Sequence, residues 1–482
     1  MSSEPSPRRL HPVAMLIGAI KTIRRWIGAV AIPGVAAIAG GGLRMQALVF
    51  LGIFVVVAGS ALWGFLSWRA TTYGVSRGAF VLRGGVLRKN ERTIPLEHVQ
   101  SVDTVQGIIQ RVFGVVEVRV ETASGGGNQP EASLPALGHA AAEALRREIE
   151  GSRRGPVEEA GPVVVRRLGT RDLLVAGATS GQIGVALSLI AVASQLFDEF
   201  LPEDLAERLI ATLAPRSLAD ALVLIPAFGL LAWILAIAGT ILAYAGFTLS
   251  RDGDFLHIRR GFLERREATI PLSRIQAVRI SEGVLRQPFG LAMLRVESAG
   301  YGEDAGVSTT LFPLLPRKEA QGLLLDAAPE FAVEPTLNPL PVRALRRYVF
   351  RAALPAILLA AIVGTNIALA LDSVAWASLG LLLPLPAIPY GWLRYRAAGW
   401  TLAGDRLVIR SRLLARTTAI ASRRRLQSRS VVRSPFQRRA RLATFRTRVA
   451  SGGGGAAFQV VDLESAEADS LAERLGPGRR AA

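Results

Sequence analysis

Six stretches of this chain carry no charged side chain and no histidine, and any fold must first find an apolar home for them: Trp26 to Leu43, Gln46 to Trp68, Leu173 to Phe197, Ala221 to Phe247, Ala352 to Leu371 and Ser373 to Leu393. A hydrocarbon core of about 30 Å needs about 20 residues of helix at a rise of about 1.5 Å each. The stretches therefore predict six membrane spans in three pairs. Trp26 to Leu43 is the weakest, being rich in Gly and Ala with Pro33 inside. A re-entrant helix is open there, and pairing with the next stretch favours a full crossing. Residues Leu10 to Arg25 read as an amphipathic, basic surface helix.

Charge is arranged around the stretches with a clear asymmetry. Arg44 alone separates the first pair, Asp372 the third, and an acidic segment around Asp198, Glu199, Glu203 and Asp204 the second. Between pairs the chain is basic, with Arg24, Arg25, Arg69, Arg77, Arg166, Arg167, Arg171, Arg343, Arg346, Arg347, Arg394 and Arg396 beside the span ends. The positive-inside rule places that common side, with both termini, in the cytoplasm. This topology accounts for most of the net charge of +19, so nucleic acid is not an expected partner. The chain has no cysteine, which removes disulfides and thiolate metal sites.

The polar segments repeat. Residues 85 to 124 laid without gaps on residues 261 to 300 agree at 16 of 40 positions, sharing the Ile-Pro-Leu turn, a glutamine (Gln100, Gln276) and a Phe-Gly pair (Phe113-Gly114, Phe289-Gly290). A third, eroded copy follows the last span. There Gln427 keeps the glutamine, while Ala421-Ser422-Arg423 replaces Ile-Pro-Leu and Ala440-Arg441 replaces Phe-Gly. Alternation such as Val116, Val118, Val120 against Glu117, Arg119, Glu121 predicts short half-buried strands. Each copy closes with an amphipathic helix, at His139 to Glu150, Lys318 to Ala328 and Ser465 to Leu475. The Phe-Gly pairs read as core anchor and tight turn, and the glutamines as groups that satisfy backbone at a strand end.

The expected architecture is thus six α-helical spans as transmembrane hairpins alternating with three small β-rich domains, each a bent sheet or barrel capped by a C-terminal helix. The boundaries are a basic N-terminal segment 1–25, hairpin 26–68, domain 70–152, linker 153–171, hairpin 172–246, domain 247–331, linker 332–346, hairpin 347–395, an Arg-rich domain 399–476 and a tail 477–482. The order of elements, and the wording around Ile-Pro-Leu, Val-Gln-Ser-Val and Phe-Gly-Val, resembles the bacterial pleckstrin-homology (PH)-like membrane proteins of the YdbS/YdbT-like group. The resemblance implies a PH-like fold repeated three times, and binding of lipid headgroups or proteins.

Chemistry is sparsely signalled. The four histidines, His11, His98, His139 and His257, lie far apart in sequence, so no metal site and no cofactor is expected. No G-x-S-x-G elbow is present and the copies share no serine–histidine pair, so the chain is read as a non-enzyme. The glycine runs Gly125 to Gly127 and Gly452 to Gly455 read as hairpin connections. Transport is the rival function, but no span holds an ionisable group away from its ends; Gln182 and Asn366 read as helix-to-helix hydrogen bonds. The sharpest signal is that residues 394 to 448 hold sixteen arginines against one acid, Asp405. Arg423, Arg424, Arg425 and Arg438, Arg439, Arg441 are the candidate contacts for anionic lipid headgroups or for a protein partner, such as a shorter related PH-like membrane protein.

Overall fold

The computed structural model describes residues 7–24, 43–76, 78–122, 131–151, 162–180, 218–298, 310–334, 336–371, 382, 384–451 and 455–476. The chain divides into two compact units, residues 1–167 with 242–273, and residues 168–241 with 274–482.

In the first unit, β1 (Arg8–Arg9) leads into helix α1 (residues 13–24), and helix α2 (Leu43–Ala70) ends one residue before β2 (Thr72–Ser76). Strands β3 (Ala79–Gly84) and β4 (Asn90–Pro95) complete an antiparallel sheet of order β1-β2-β3-β4. Next come β5 (Val99–Gln106), the short helix α3 (Ile108–Val112), β6 (Val115–Thr122), β7 (Ala132–Gly138) and the closing helix α4 (His139–Gly151). Apolar faces of both sheets and of α4 enclose one core, with Phe80, Val99, Val118, Leu134, Leu145 and Ile149 buried in it. Leu10, Ala14 and Ile17 join that core. The N-terminal amphipathic helix thus spends its apolar stripe on the first domain, which differs from the surface helix expected.

The first unit continues with β8 (Val163–Arg167) and, after a gap in sequence, β9 (Thr248–Asp252), β10 (Phe255–Arg260) and β11 (Arg265–Pro271). These are the first four strands of the second domain. They extend the first domain's second sheet into seven strands of order β7-β6-β5-β11-β10-β9-β8.

The second unit repeats this plan. Helices α5 (Thr170–Ala178) and α6 (Leu218–Tyr244, entering the first unit at residue 242) precede the second domain, whose second sheet is β12 (Ile275–Glu282), β13 (Leu291–Ser298) and β14 (Thr310–Pro316), followed by α7 (Ala320–Ala327). The third domain comprises β15 (Asn338–Pro339), helices α8 (Arg343–Leu371) and α9 (Ala387–Ala397), β16 (Gly399–Ala403), β17 (Arg406–Arg412) and β18 (Arg416–Ser422). Its second half is β19 (Leu426–Val432), α10 (Pro435–Arg439), β20 (Leu442–Val449), β21 (Ala456–Glu464) and α11 (Ser465–Arg474). Here too β18 pairs with β12, giving seven strands of order β14-β13-β12-β18-β17-β16-β15, while β19-β20-β21 stand as a three-stranded sheet.

Several expectations change. Among the described residues three helices, not six, are long and apolar enough to cross a membrane: Arg44–Ala70, Leu222–Tyr244 and Arg343–Asn366. Most of the other three stretches, with Gln182, lies outside the described residues, as do the glycine-rich connections apart from Gly455. The expected linkers 153–171 and 332–346 supply β8 and β15, which pair with the strand that follows each helix pair. All three repeated glutamines sit where the β5–β6, β12–β13 and β19–β20 registers slip, between Val99 and Ser101, Ile275 and Ala277, and Leu426 and Ser428. They mark a β-bulge, an extra residue that bends the strand. Phe113 and Phe289 are exposed, not core anchors, but the turn after them is kept in all copies, with Gly114, Gly290 and Arg441 at φ of 64°, 61° and 55°.

Candidate functional site

The sites follow from how each domain meets its helices. In all three pairs a glycine removes the side chain that would hold the helices apart. A Cβ on Gly64 would stand 2.4 Å from the Met15 carbonyl oxygen, and one on Gly391 2.6 Å from Val349 Cα. In the middle pair the glycine is on the other partner, Gly177, whose added Cβ would meet Ile237 Cα at 3.1 Å.

Polar clamps then tie domain to helix. Trp68 Nε1 donates to the Leu10 carbonyl oxygen at 2.9 Å in the first domain. In the second, the buried Arg286 donates to Ala176 O at 3.2 Å, Thr179 Oγ1 at 3.1 Å and Pro313 O at 3.0 Å. In the third, the wholly buried Asp462 carboxylate receives Arg347 Nε at 3.0 Å, Arg351 Nη2, and Gln437 Nε2 at 2.8 Å. Tyr348 Oη donates to Val461 O at 3.2 Å. A buried charge needs this degree of pairing to persist. The arginines at the start of α8 therefore lock the third domain to the helix.

A second recurring feature is a hairpin tip in each domain. The hairpin tip between β3 and β4, and its counterparts between β10 and β11 and between β17 and β18, expose large apolar side chains: Leu87, Phe262 with Leu263, and Leu413 with Leu414. Each tip stands beside the C-terminal end of an apolar helix or of its partner. Phe262 N donates to Leu242 O at 2.9 Å, Arg394 Nε to Arg412 O at 3.2 Å, and a Cβ added on Gly84 would meet Thr71 Oγ1 at 3.5 Å. Basic residues flank each tip: Arg88 and Lys89, Arg265 and Arg266, Arg412 and Arg416.

At the first tip the arrangement opens into a cavity of about 910 Å³, lined by Lys21, Trp68, Arg88, Lys89, Arg92 and Glu131 among others. Arg92 donates to the Glu131 carbonyl oxygen. Lys21, Arg88 and Lys89 are exposed. This pocket joins α1, the end of α2 and the β3–β4 tip, elements remote in sequence, so no motif announces it.

The arginines singled out in the sequence do not form one patch. Arg423 to Arg425 precede β19 and Arg438 to Arg441 follow it, so its 7 residues separate them by about 23 Å at about 3.3 Å per residue. Arg423 Nη2 donates to Gly476 O at 2.9 Å. Arg425 Nη2 pairs with Glu330 at 2.9 Å and its guanidinium lies 5.8 Å from the Phe331 ring centre. Arg424, with a side chain 88% exposed and a 3.4 Å contact to Asp405, stays available. Arg438, Arg439 and Arg441 are exposed on α10 and the turn after it.

Two further polar features are structural in character. Asn366 Nδ2 donates to Ile362 O at 2.8 Å within its own helix. Burial, and then the nearby Asp103 carboxylate, push the Glu121 carboxyl up to about 8. Among the described residues no group of three His, Asp or Glu side chains could hold a metal ion.

Comparison with known proteins agrees with this anatomy. The family model described as Bacterial PH domain matches three times, over residues 21–153, 208–326 and 351–478. Each match takes in helix and domain together. The UPF0699 transmembrane protein YdbT of Bacillus subtilis (strain 168) is 33% identical over 491 residues, covering 97% of this chain and 97% of that protein. No solved structure matches the chain significantly. Three family matches, laid over three bent-sheet domains each fed by apolar helices, place this membrane protein in the bacterial PH domain family.

Proposed function

We propose that the chain is a non-enzymatic inner-membrane scaffold whose three PH-like domains lie on the cytoplasmic face and bind anionic lipid headgroups. The observation that carries this reading is the placement of the exposed apolar tips, with their flanking arginines and lysines, beside the helix ends. An apolar residue enters the acyl boundary at that level while guanidinium and ammonium groups remain among phosphates. Near an anionic leaflet each such cation contributes about 1 kcal/mol where it is not already paired, as Arg266 is with Glu264 and Arg416 with Glu282. The cavity holding Lys21, Arg88 and Lys89 offers a recess for a phosphate headgroup.

Six spans are favoured by chain closure. The segments before and after each helix pair hydrogen-bond to one another, Arg9 opposite Thr72, Arg167 opposite Thr248 and Pro339 opposite Gly399. A chain that leaves and returns to one sheet must cross an even number of times. One apolar helix per pair therefore calls for a second.

The test uses the full chain, because the third domain shares a sheet with the second and should not be cut from it. Purified protein in mixed micelles is titrated with phosphatidylglycerol or phosphatidylcholine at two salt concentrations. Binding selective for phosphatidylglycerol, weakened by salt and lowered about tenfold in R88A/K89A, supports the reading. Equal binding of both lipids, or an unchanged double variant, rejects it.

A further inference from the structure

The two internal joints between domains are built alike to the residue. Six positions after the bulge glutamine stand Gln106, Glu282 and Arg433; eleven before it stand Lys89, Arg265 and Arg416; eleven after it stand Arg111, Gln287 and Arg438. At the first joint Gln106 lies opposite Arg265, and at the second Glu282 lies opposite Arg416. The register is the same. At the first joint Arg111 Nη2 donates to Phe262 O at 2.6 Å, and at the second Gln287 Nε2 donates to Leu414 O at 3.2 Å. The same position on one domain thus caps the apolar tip of the next.

Three domains make two joints and leave two halves over. Among the described residues β4 pairs only with β3, and β19 only with β20. The residues of β19 are far more exposed than those of its counterpart β12. Arg438, the capping position, is exposed on α10, and the Leu87 tip it would cap in a following domain is 87% exposed. An unpaired strand edge is a template for another strand. Pro95 does not block this, since β11 carries Pro271 at the same position and pairs through Arg265 to Glu267.

We infer that β19 of one chain pairs with β4 of a second copy in the register of the internal joints, so that the protein assembles head to tail. Arg433 then faces Lys89, Val431 faces Glu91 and Arg429 faces Thr93. Arg438 reaches the tip at Leu87. Such a contact is heterologous and extends into rings or rows of chains, which lines up many PH-like domains along one surface. The Arg433–Lys89 opposition, softened by the Arg433–Asp469 pair, and Arg438 beside Arg88 are unfavourable, and they keep each contact weak and reversible. The inference does not depend on headgroup binding.

The absence of cysteine makes a direct test available. Two differently tagged full-length chains, one V431C and one E91C, are mixed in phosphatidylglycerol vesicles and oxidised; directly opposed strand residues lie within disulfide reach. A disulfide between the two tags is expected, and S428C with E91C, which face opposite sides of the joint, should give little. K89E places an acid opposite Arg433 and should raise the cross-linked fraction about threefold, while lowering lipid binding, so the two readings fail separately. Absence of the V431C–E91C product, or equal yield from the S428C control, overturns the inference, including the case where another protein covers these edges.

Discussion

Arg416 and Glu282 face each other across the joint between the second and third domains, with Arg416 Nε 2.9 Å from Glu282 Oε1 and Nη2 paired to Oε2. Glu282 is 1% exposed, Arg317 is 3.7 Å away, and the Arg410 guanidinium also feels its charge. The pair fixes the register by which two domains become one sheet. R416Q leaves a buried carboxylate without its close partner, with Arg317 and Arg410 the cations still near it, so a loss of about 3 kcal/mol is expected, the low end for breaking a buried pair because Arg416 is partly exposed. Hydrogen exchange in detergent should show β12 and β18 opening together, with the β19–β21 sheet less affected.

Glu121 gives a pH signature. Its carboxyl is raised from 4.5 to about 8 by burial and by Asp103, so the folded state holds a proton that the unfolded chain releases at lower pH. Stability from this group is fully present below about 4.5, falls as pH rises toward 8 and is flat above it. A tenfold change in proton affinity corresponds to about 1.4 kcal/mol. E121Q removes the dependence, and thermal unfolding at pH 4 and pH 9 should separate the two proteins only at the higher pH, with the variant the more stable.

Arg441 occupies a left-handed conformation at φ 55°, where the other two copies have glycine. A side chain there costs about 1 kcal/mol relative to glycine. R441G should therefore strengthen protection of β20 against hydrogen exchange by about 0.5–1 kcal/mol.

Asp462 anchors the third domain to α8 through Arg347 and Arg351. D462N keeps the shape but leaves two arginines facing a neutral amide. A loss of about 3 kcal/mol is expected, read as increased protease access at residues 343–351 while the β16–β18 strands stay protected.

What the sequence revealed and what it hid divide by range. Hydropathy located three of the six expected spans among the described residues, with Gln46 to Trp68 read and Leu43–Ala70 observed, because crossing a bilayer is a local demand. Period-two alternation and the repeat located the strands of each copy for the same reason. The joints were hidden, since β5 meets β11 through backbone hydrogen bonds that leave no side-chain pattern. Strands of two residues such as β15 are too short for periodicity, so Asn338 and Pro339 passed as linker. The arginine count misled in part: composition registers charge but not partner, and Arg423 and Arg425 prove to be tied to Gly476 and Glu330. Arg438 gained its meaning only from the contacts of Arg111 and Gln287.

Depth in the bilayer decides whether the domains rest on it through their hairpin tips. Single cysteines at Leu87, Leu263 and Leu414, and at Glu97 beyond the far end of β4, are labelled with bimane in phosphatidylglycerol vesicles that contain lipids brominated high on the acyl chains. Domains seated on the bilayer by their tips should show quenching at all three tips and little at position 97. Tips that quench no more than position 97 would place these domains away from the lipid and contradict that seating.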